Sequence, residues 1–309
     1  MNSSSLSAAP RVDRERNGGL GLGRLFKRLC RSTWCLRNRI PFLDVGIPCR
    51  LVDGSRVWAY GDVMGWTMLN GSLRKASNQM TDWQFISGYL QPGMIVFDIG
   101  ANQGLYSLLA SRYVGSEGRV YAFEPASTEF AKLKRNILAN GGSNVILEHS
   151  AVGSYEGNTE FYLCLSGRGS YSSRRPPAED VRKAAKQRVQ VPMVTLDRYF
   201  AENHLSSCDF IKVDVEGGER DVLRGAAHVL THQRPLVMCE LADIRTLQWG
   251  YSADEIYCML KDFRYEWYRL SEGGRLTPAE TRNSDPDGEN LIAVPLERKI
   301  QLGSLLRAS

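Results

Sequence analysis

No stretch of this 309-residue chain stays apolar over the roughly 18–20 residues that a bilayer span needs. The N-terminus also lacks the unbroken apolar core of a signal peptide. Cysteine follows no pairing pattern: Cys30, Cys35, Cys49, Cys164, Cys208, Cys239 and Cys258 are scattered and odd in number. That argues against a disulfide frame or a zinc-finger spacing and leaves reduced thiols in a cytoplasmic protein as the expectation. The formal net charge is only +5 and its basic excess gathers near the N-terminus, so the broad basic face of a nucleic-acid binder is missing. Residues 1–19 hold almost no large apolar side chains and read as a disordered tail. What is present is ordinary for a globular core: 43% hydrophobic and 24% charged residues, in a chain long enough for one large α/β domain with appendages or for two small domains.

One more absence shapes the centre of the chain. Met94–Gly104 reads Met-Ile-Val-Phe-Asp-Ile-Gly-Ala-Asn-Gln-Gly, an apolar run suited to a strand buried on both faces, ending in an acid and a glycine-bearing turn. Leu105, Leu108 and Leu109 then fall at helical spacing, so the turn opens a helix whose free N–H groups face the strand end. A dinucleotide loop would read Gly-x-Gly-x-x-Gly. Here Gly100 and Gly104 are separated by Ala-Asn-Gln with no middle glycine, which disfavours NAD. The form Asp98-Ile-Gly100-x-x-x-Gly104 is similar to the first motif of class I S-adenosylmethionine-dependent methyltransferases.

The remaining elements follow in order. Leu22 to Ile40 places apolar residues at helical spacing among Arg and Lys, a basic amphipathic helix suited either to peripheral contact with an anionic inner membrane surface or to packing on its own domain or a second subunit. Asp53-Gly54 between two short apolar runs predicts a hairpin, and residues 20–91 together form an N-terminal helix and cap. Residues 92–296 form the main domain. Within it Arg119–Phe123 is a strand tipped by Glu124-Pro125, about 20 residues past the glycine loop, where an acid can accept hydrogen bonds from both ribose hydroxyls. Val145–Leu147 is the third strand, and the loop Glu148–Gly153 after it flanks an adenine position. Its His149 is a candidate general base. An insert over 159–195 carries two strand-like runs around a Gly-, Ser- and Arg-rich loop with Ser170 and Tyr171, read as an acceptor-binding lid. Phe210–Val213 runs into Asp214, Glu216 and Glu219. Acids at a helix start account for Glu219, whereas Asp214 stands at a strand tip, where ligands bind in open α/β sheets. Leu236–Cys239 is tipped by Glu240, Ser252–Glu255 reads as a capping box, and Tyr265–Leu270 and Asn290–Val294 complete seven strands before a basic tail over 297–309.

With Phe97-Asp-Ile-Gly-Ala-Asn-Gln-Gly104, Phe123-Glu-Pro125, Thr195-Leu-Asp197 and Asp209-Phe-Ile-Lys-Val-Asp-Val-Glu-Gly-Gly-Glu219 in order, the chain resembles the FkbM family of methyltransferases over about 92–294. The resemblance implies a doubly wound, mostly parallel, seven-stranded Rossmann-like α/β sheet with helices on both faces. It implies S-adenosylmethionine as cofactor and O-methylation of a sugar, polysaccharide or polyketide-type hydroxyl. Asp98, Gly100, Asn102, Gly104, Glu124 and Pro125 are the candidate cofactor residues. Asp214, then His149, are the candidate bases, Glu216, Glu240, Ser170 and Tyr171 the acceptor contacts, and no metal is invoked. The expected acceptor is a small molecule or a glycan and not nucleic acid. The rival classes are a nicotinamide oxidoreductase, a nucleic-acid methyltransferase and a non-catalytic cofactor-binding module.

Overall fold

Gly54, at φ +88°, closes a hairpin. The structure, a computed structural model, describes residues 46–51, 54–60, 77–164, 172–174, 186–280 and 288–306. Strands β1 (Ile47–Arg50) and β2 (Arg56–Ala59) pair antiparallel, with Ile47 opposite Ala59 and Arg50 opposite Arg56, as the turn chemistry predicts. These residues belong to the unit Val45–Ser309. The other unit, Met1–Asp44, with the expected tail and basic helix, lies outside the described residues. Helix α1 (Ser77–Tyr89) buries Phe85 and Ile86, and the chain then turns at Pro92-Gly93, where Pro cannot continue a helix and Gly93 takes φ +88°.

Strand and helix then alternate: β3 (Ile95–Ile99), α2 (Leu105–Val114), β4 (Arg119–Phe123), α3 (Ser127–Ala139) and β5 (Val145–Glu148). The insert departs from this rhythm. Strand β6 (Ala151–Val152), ahead of the expected bounds of the insert, joins the insert's two strands, β7 (Gly157–Cys164) and β8 (Lys186–Val194), in a separate sheet in the order β6-β8-β7, with β7 and β8 antiparallel. Alternation resumes with α4 (Leu196–Glu202), β9 (Phe210–Val213), α5 (Glu219–Arg224), α6 (Ala227–His232), β10 (Leu236–Leu241), α7 (Asp243–Thr246) and α8 (Ala253–Asp262). The antiparallel strands β11 (Tyr265–Ser271), β12 (Arg275–Pro278) and β13 (Glu289–Pro295) close the domain.

The main sheet runs β12-β11-β13-β10-β9-β3-β4-β5, parallel from β10 to β5. All seven expected strands are in it. The eighth, β12, lies in a connection that reads as polar, and its one buried apolar residue, Leu276, is too little to make a period visible in four residues. Residues alternate between the two faces. Phe97, Ile99, Phe123, Ile211, Val213 and Val237 pack with Leu196, Val222, Leu223 and Val229 on one side. Val96, Val120, Phe210 and Met238 pack with Phe85, Ile86 and Leu109 on the other. Each such side chain contributes about 1.5–3 kcal/mol of burial, which makes apolar packing the main term holding the strand tips in place.

The N-terminal hairpin is fixed to α3 by polar contacts. The Trp58 N–H donates to Asn136 Oδ1 at 3.1 Å and the Arg56 N–H to Asn140 Oδ1 at 2.8 Å, with the Arg135 guanidinium over the Trp58 ring. At α8, Ser252 caps as expected, accepting from the Asp254 N–H at 3.2 Å. Glu255 does not complete the box. Its carboxylate is taken by Arg220 at 2.7 Å, an ion pair across to α5.

Candidate active site

The chain lays β4 and β5 on one side of β3, then returns to lay β9 and β10 on the other. Connections leave such a reversal point in opposite directions and open a crevice at the carboxyl ends of the strands. The β3–α2 loop sits there. The N–H groups of Gly100 and Ala101 both donate to the Phe123 carbonyl, at 3.0 and 2.9 Å, and Gly100, Asn102 and Gly104 adopt φ +84°, +51° and +86°. A Cβ on Gly100 would lie 1.9 Å from the Asp214 carbonyl oxygen, and one on Gly104 would lie 2.5 Å from Leu133. The fold itself therefore demands glycine at 100, where backbone meets backbone, and favours it at 104 through the left-handed φ.

Asp98, at the end of β3, is 2% exposed and accepts from Ser107 Oγ at 2.6 Å, which ties the strand to the first turns of α2. Its other oxygen, Oδ1, is buried without a hydrogen bond among the described residues and faces Lys212 Nζ at 4.0 Å. Burial raises the Asp98 carboxyl, against the pull of Lys212 and Ser107. For Lys212 burial works the other way, but Asp214 and Asp98 outweigh it and hold the ammonium in its charged form. The Tyr106 ring lies 4.5 Å from Lys212 Nζ, and the Tyr106 hydroxyl donates to Asp82 Oδ2 at 3.1 Å. Asn290 Nδ2 donates to the same oxygen at 2.9 Å, and burial raises Asp82 to about 6.

Glu124, at the tip of β4, is buried, and each of its oxygens accepts one backbone N–H, from Asn102 and from Ala126, both at 2.8 Å. Burial, with Glu129 nearby, raises it to about 8. Beside it opens a cleft whose lining includes Gly100, Pro125, Ser150, Val215, Arg174 and Trp249. The post-β5 loop thus reaches the cleft through Ser150. His149, the second candidate base, is not in that lining: it is exposed and stacked on Phe130 at 4.6 Å. It also follows β5, three strands from β9, about 14 Å away at sheet spacing. Ser170 and Tyr171 lie outside the described residues. The described part of that loop reaches the cleft through Arg174, which donates to Thr159 Oγ1 at 3.2 Å and pairs with Asp221 at 3.0 Å.

Three acids, Asp214, Glu216 and Glu219, follow β9, and a fourth, Glu240, lies near the end of β10. Asp214, the first candidate base, has a side chain that is 40% exposed, and its Oδ2 accepts from Lys212 at 3.1 Å. Glu216, at the uncommon φ of +58°, pairs with Arg245 at 3.0 Å, and burial pushes its carboxyl up despite that partner. Glu219 is structural, as the helix-start reading holds: Oε1 accepts from the N–H groups of Val215 and Gly217, both at 3.1 Å, and burial raises it to about 7. Glu240 and Asp214 each follow the last paired residues of the β9/β10 ladder, Cys239 and Val213. Burial first, then Asp214 and Glu219, raises Glu240 to about 8. Among the described residues, no cluster of three or more His, Cys, Asp or Glu is arranged to hold a metal ion.

The sequence model described as "Methyltransferase FkbM domain" matches residues 98–267, more than half of the chain and the span that carries every element above from Asp98 to Glu240. The chain belongs to the FkbM methyltransferase family. Two curated relatives are the 31-O-demethyl-FK506 methyltransferase FkbM of Streptomyces tacrolimicus, 29% identical over 179 residues, and Methyltransferase 1 of Beauveria bassiana (strain ARSEF 2860), 28% identical over 145. The matches cover 50% and 42% of this chain and 68% and 57% of those proteins. A solved FkbM methyltransferase from Methylobacillus flagellatus KT superposes with a TM-score of 0.43 at 15% identity, over 88% of this chain and 60% of that one.

S-adenosylmethionine is the cofactor of the family, and the residues present fit it. Glu124 uses one acceptor position on each oxygen for a backbone N–H and retains others for a ribose diol. The Asn102 Oδ1 is buried with no hydrogen-bond partner among the described residues. Asp82, Lys212, Arg174 and Trp249 were not singled out as site residues from the sequence. Lys212 carried a usable signal, a cation inside the apolar strand Phe-Ile-Lys-Val that can be buried only beside an acid.

Proposed function

We propose that the protein is an S-adenosylmethionine-dependent O-methyltransferase acting on a hydroxyl of a neutral polyhydroxylated acceptor of the sugar, glycan or polyketide type. The observation that carries this reading is the placement of Asp214, Glu216 and Glu240 at adjacent strand tips beside the glycine loop. Carboxylates accept hydrogen bonds from hydroxyls and repel anionic acceptors. The relative whose name gives 31-O-demethyl-FK506 as its substrate supports an oxygen acceptor.

When bound, the cofactor supplies a methyl group on a sulfonium, open to in-line displacement, so the protein's task is chiefly alignment. Glu124 would hold the ribose hydroxyls and the loop of Gly100 to Gly104 the adjoining part of the cofactor. Pro125 and Ser150 would line the adenine end. Asp98 and Lys212 lie behind this loop and fix it to Asp214, so the cofactor and acceptor sides of the crevice share one ion network. Asp214 and Glu216, each held by a cation, offer oxygens at fixed positions for orienting an acceptor.

The test is release of S-adenosylhomocysteine from the full chain with a panel of neutral polyols, glycans and macrocyclic polyketides, each paired with a carboxylated analogue. Release with neutral hydroxyl acceptors and not with their carboxylated partners is expected. Release only with amines, nucleic acid or anionic acceptors contradicts the reading.

A further inference from the structure

The carboxylates at the tips of β9 and β10 are not equivalent. Asp214 Oδ2 is occupied by Lys212 and Glu216 Oε2 by Arg245. The Glu240 side chain has neither a hydrogen bond nor an ion pair among the described residues, although it is partly buried. In register, Met238 stands opposite Lys212 and Cys239 opposite Val213, so Glu240 continues beside Asp214. On its other flank it faces Asn290, whose amide nitrogen is turned away to Asp82.

We propose that Glu240 is the catalytic residue that takes the acceptor's proton, and that Asp214 orients the hydroxyl. This assignment rests on the methyl-transfer reading above. In the step, the hydroxyl oxygen forms a bond to the methyl carbon, the carbon–sulfur bond breaks with its electron pair going to sulfur, and the hydroxyl proton passes to Glu240. A proton acceptor works best when its lone pair is free and its proton affinity lies near the operating pH. Glu240 meets the first condition by lacking a cation. Its surroundings meet the second: Asp214 of β9, Glu219 of α5 and burial raise it to about 8, and Arg245 of α7 and Lys212 of β9 pull only partly against them. Glu216, the remaining acid of the crevice, is spoken for by Arg245.

The experiment compares wild type, Glu240→Gln, Glu240→Asp and Asp214→Asn in the full chain. It measures cofactor affinity by calorimetry, kcat and KM against pH with a hydroxyl acceptor, and carboxyl titration of the apo protein by carbon-13 NMR. Glu240→Gln is expected to bind the cofactor as wild type does, to lose one carboxyl titrating near neutral or above, and to lose about 100- to 10,000-fold in kcat. The rising limb of its kcat–pH profile should disappear. Glu240→Asp, which keeps a carboxyl, should retain that limb at a reduced rate. Asp214→Asn should keep the limb and raise KM. An active wild type with an equally active Glu240→Gln, or loss of the pH limb in Asp214→Asn alone, overturns the assignment. A wild type inactive toward every hydroxyl acceptor overturns the methyl-transfer reading and the assignment with it.

Discussion

The backbone carbonyl of Asp214 occupies the space that a side chain on Gly100 would need, with only 1.9 Å between that oxygen and the Cβ position. Two parallel strands meet here, and the Asp214 N–H donates to the Ile99 carbonyl at 3.1 Å, so neither backbone can retreat without breaking the ladder. The left-handed φ of +84° at Gly100 adds a second restriction. Gly100→Ala is therefore expected to destabilise the protein before any ligand is considered, by roughly 2–4 kcal/mol for overpacking and backbone strain combined. Thermal unfolding of the cofactor-free protein checks this. An unchanged melting temperature with weakened cofactor binding would mean that the glycine serves the ligand and not the fold.

Glu124 is expected to carry the ribose. Glu124→Ala should weaken S-adenosylmethionine and S-adenosylhomocysteine binding by about 1–3 kcal/mol, the cost of leaving hydroxyls without an acceptor. Isothermal calorimetry on a variant shown to be folded gives the number directly. Equal affinity in the two proteins would remove Glu124 from the cofactor site.

The same residue predicts a pH dependence. Its folded value of about 8 stands above the ordinary 4.5, so between those pH values the native state holds a proton that the unfolded chain has released. The contribution of this group to stability is thus complete below about pH 4.5 and is lost as pH rises toward 8, at up to about 1.4 kcal/mol per pH unit. Glu240 and Glu219, raised to about 8 and about 7, act in the same direction. The cofactor-free melting temperature should fall between pH 5 and 8, and Glu124→Gln should fall less steeply by about one proton. A parallel slope in the variant would show that Glu124 titrates alike in both states.

Lys212 is the cation under the whole site. Lys212→Met leaves Asp98 buried and without its charge partner, and removal of one member of a buried pair costs about 3–5 kcal/mol. Adding Asp98→Asn to that variant should recover part of the loss, since an amide can still meet Ser107 and carries no charge. Denaturant unfolding of the two variants decides it, and a double variant weaker than the single one would rule out charge compensation as the reason for the pair.

Much of this site could be read from the chain because it lies where strands end, and strand ends carry local signals. Gly100, Glu124 and Asp214 each follow a short apolar run, and one helix, one turn and one strand separate Gly100 from Glu124. The connections that depend on contacts across the sheet were not readable. Asp82 lies on a helix upstream of the glycine loop and joins the site only because α1 packs over α2 and β13. His149 sits at a strand end like the others, yet its strand is the sheet edge, and nothing in the sequence of β5 states the strand order. The partner of Glu216, Arg245, was equally hidden, because an acid beyond a strand end looks the same whether or not a cation is brought to it from another element.

The central claim is that this crevice moves a methyl group from S-adenosylmethionine to oxygen. The most direct measurement is carbon-13 NMR of the acceptor after turnover with methyl-labelled cofactor, run with wild type and with Glu124→Ala. The account predicts a labelled methyl ether on the acceptor with wild type and a much smaller amount with the variant. Label found on nitrogen, carbon or the protein itself, or no transfer to any hydroxyl acceptor by a wild type that binds the cofactor, would contradict it.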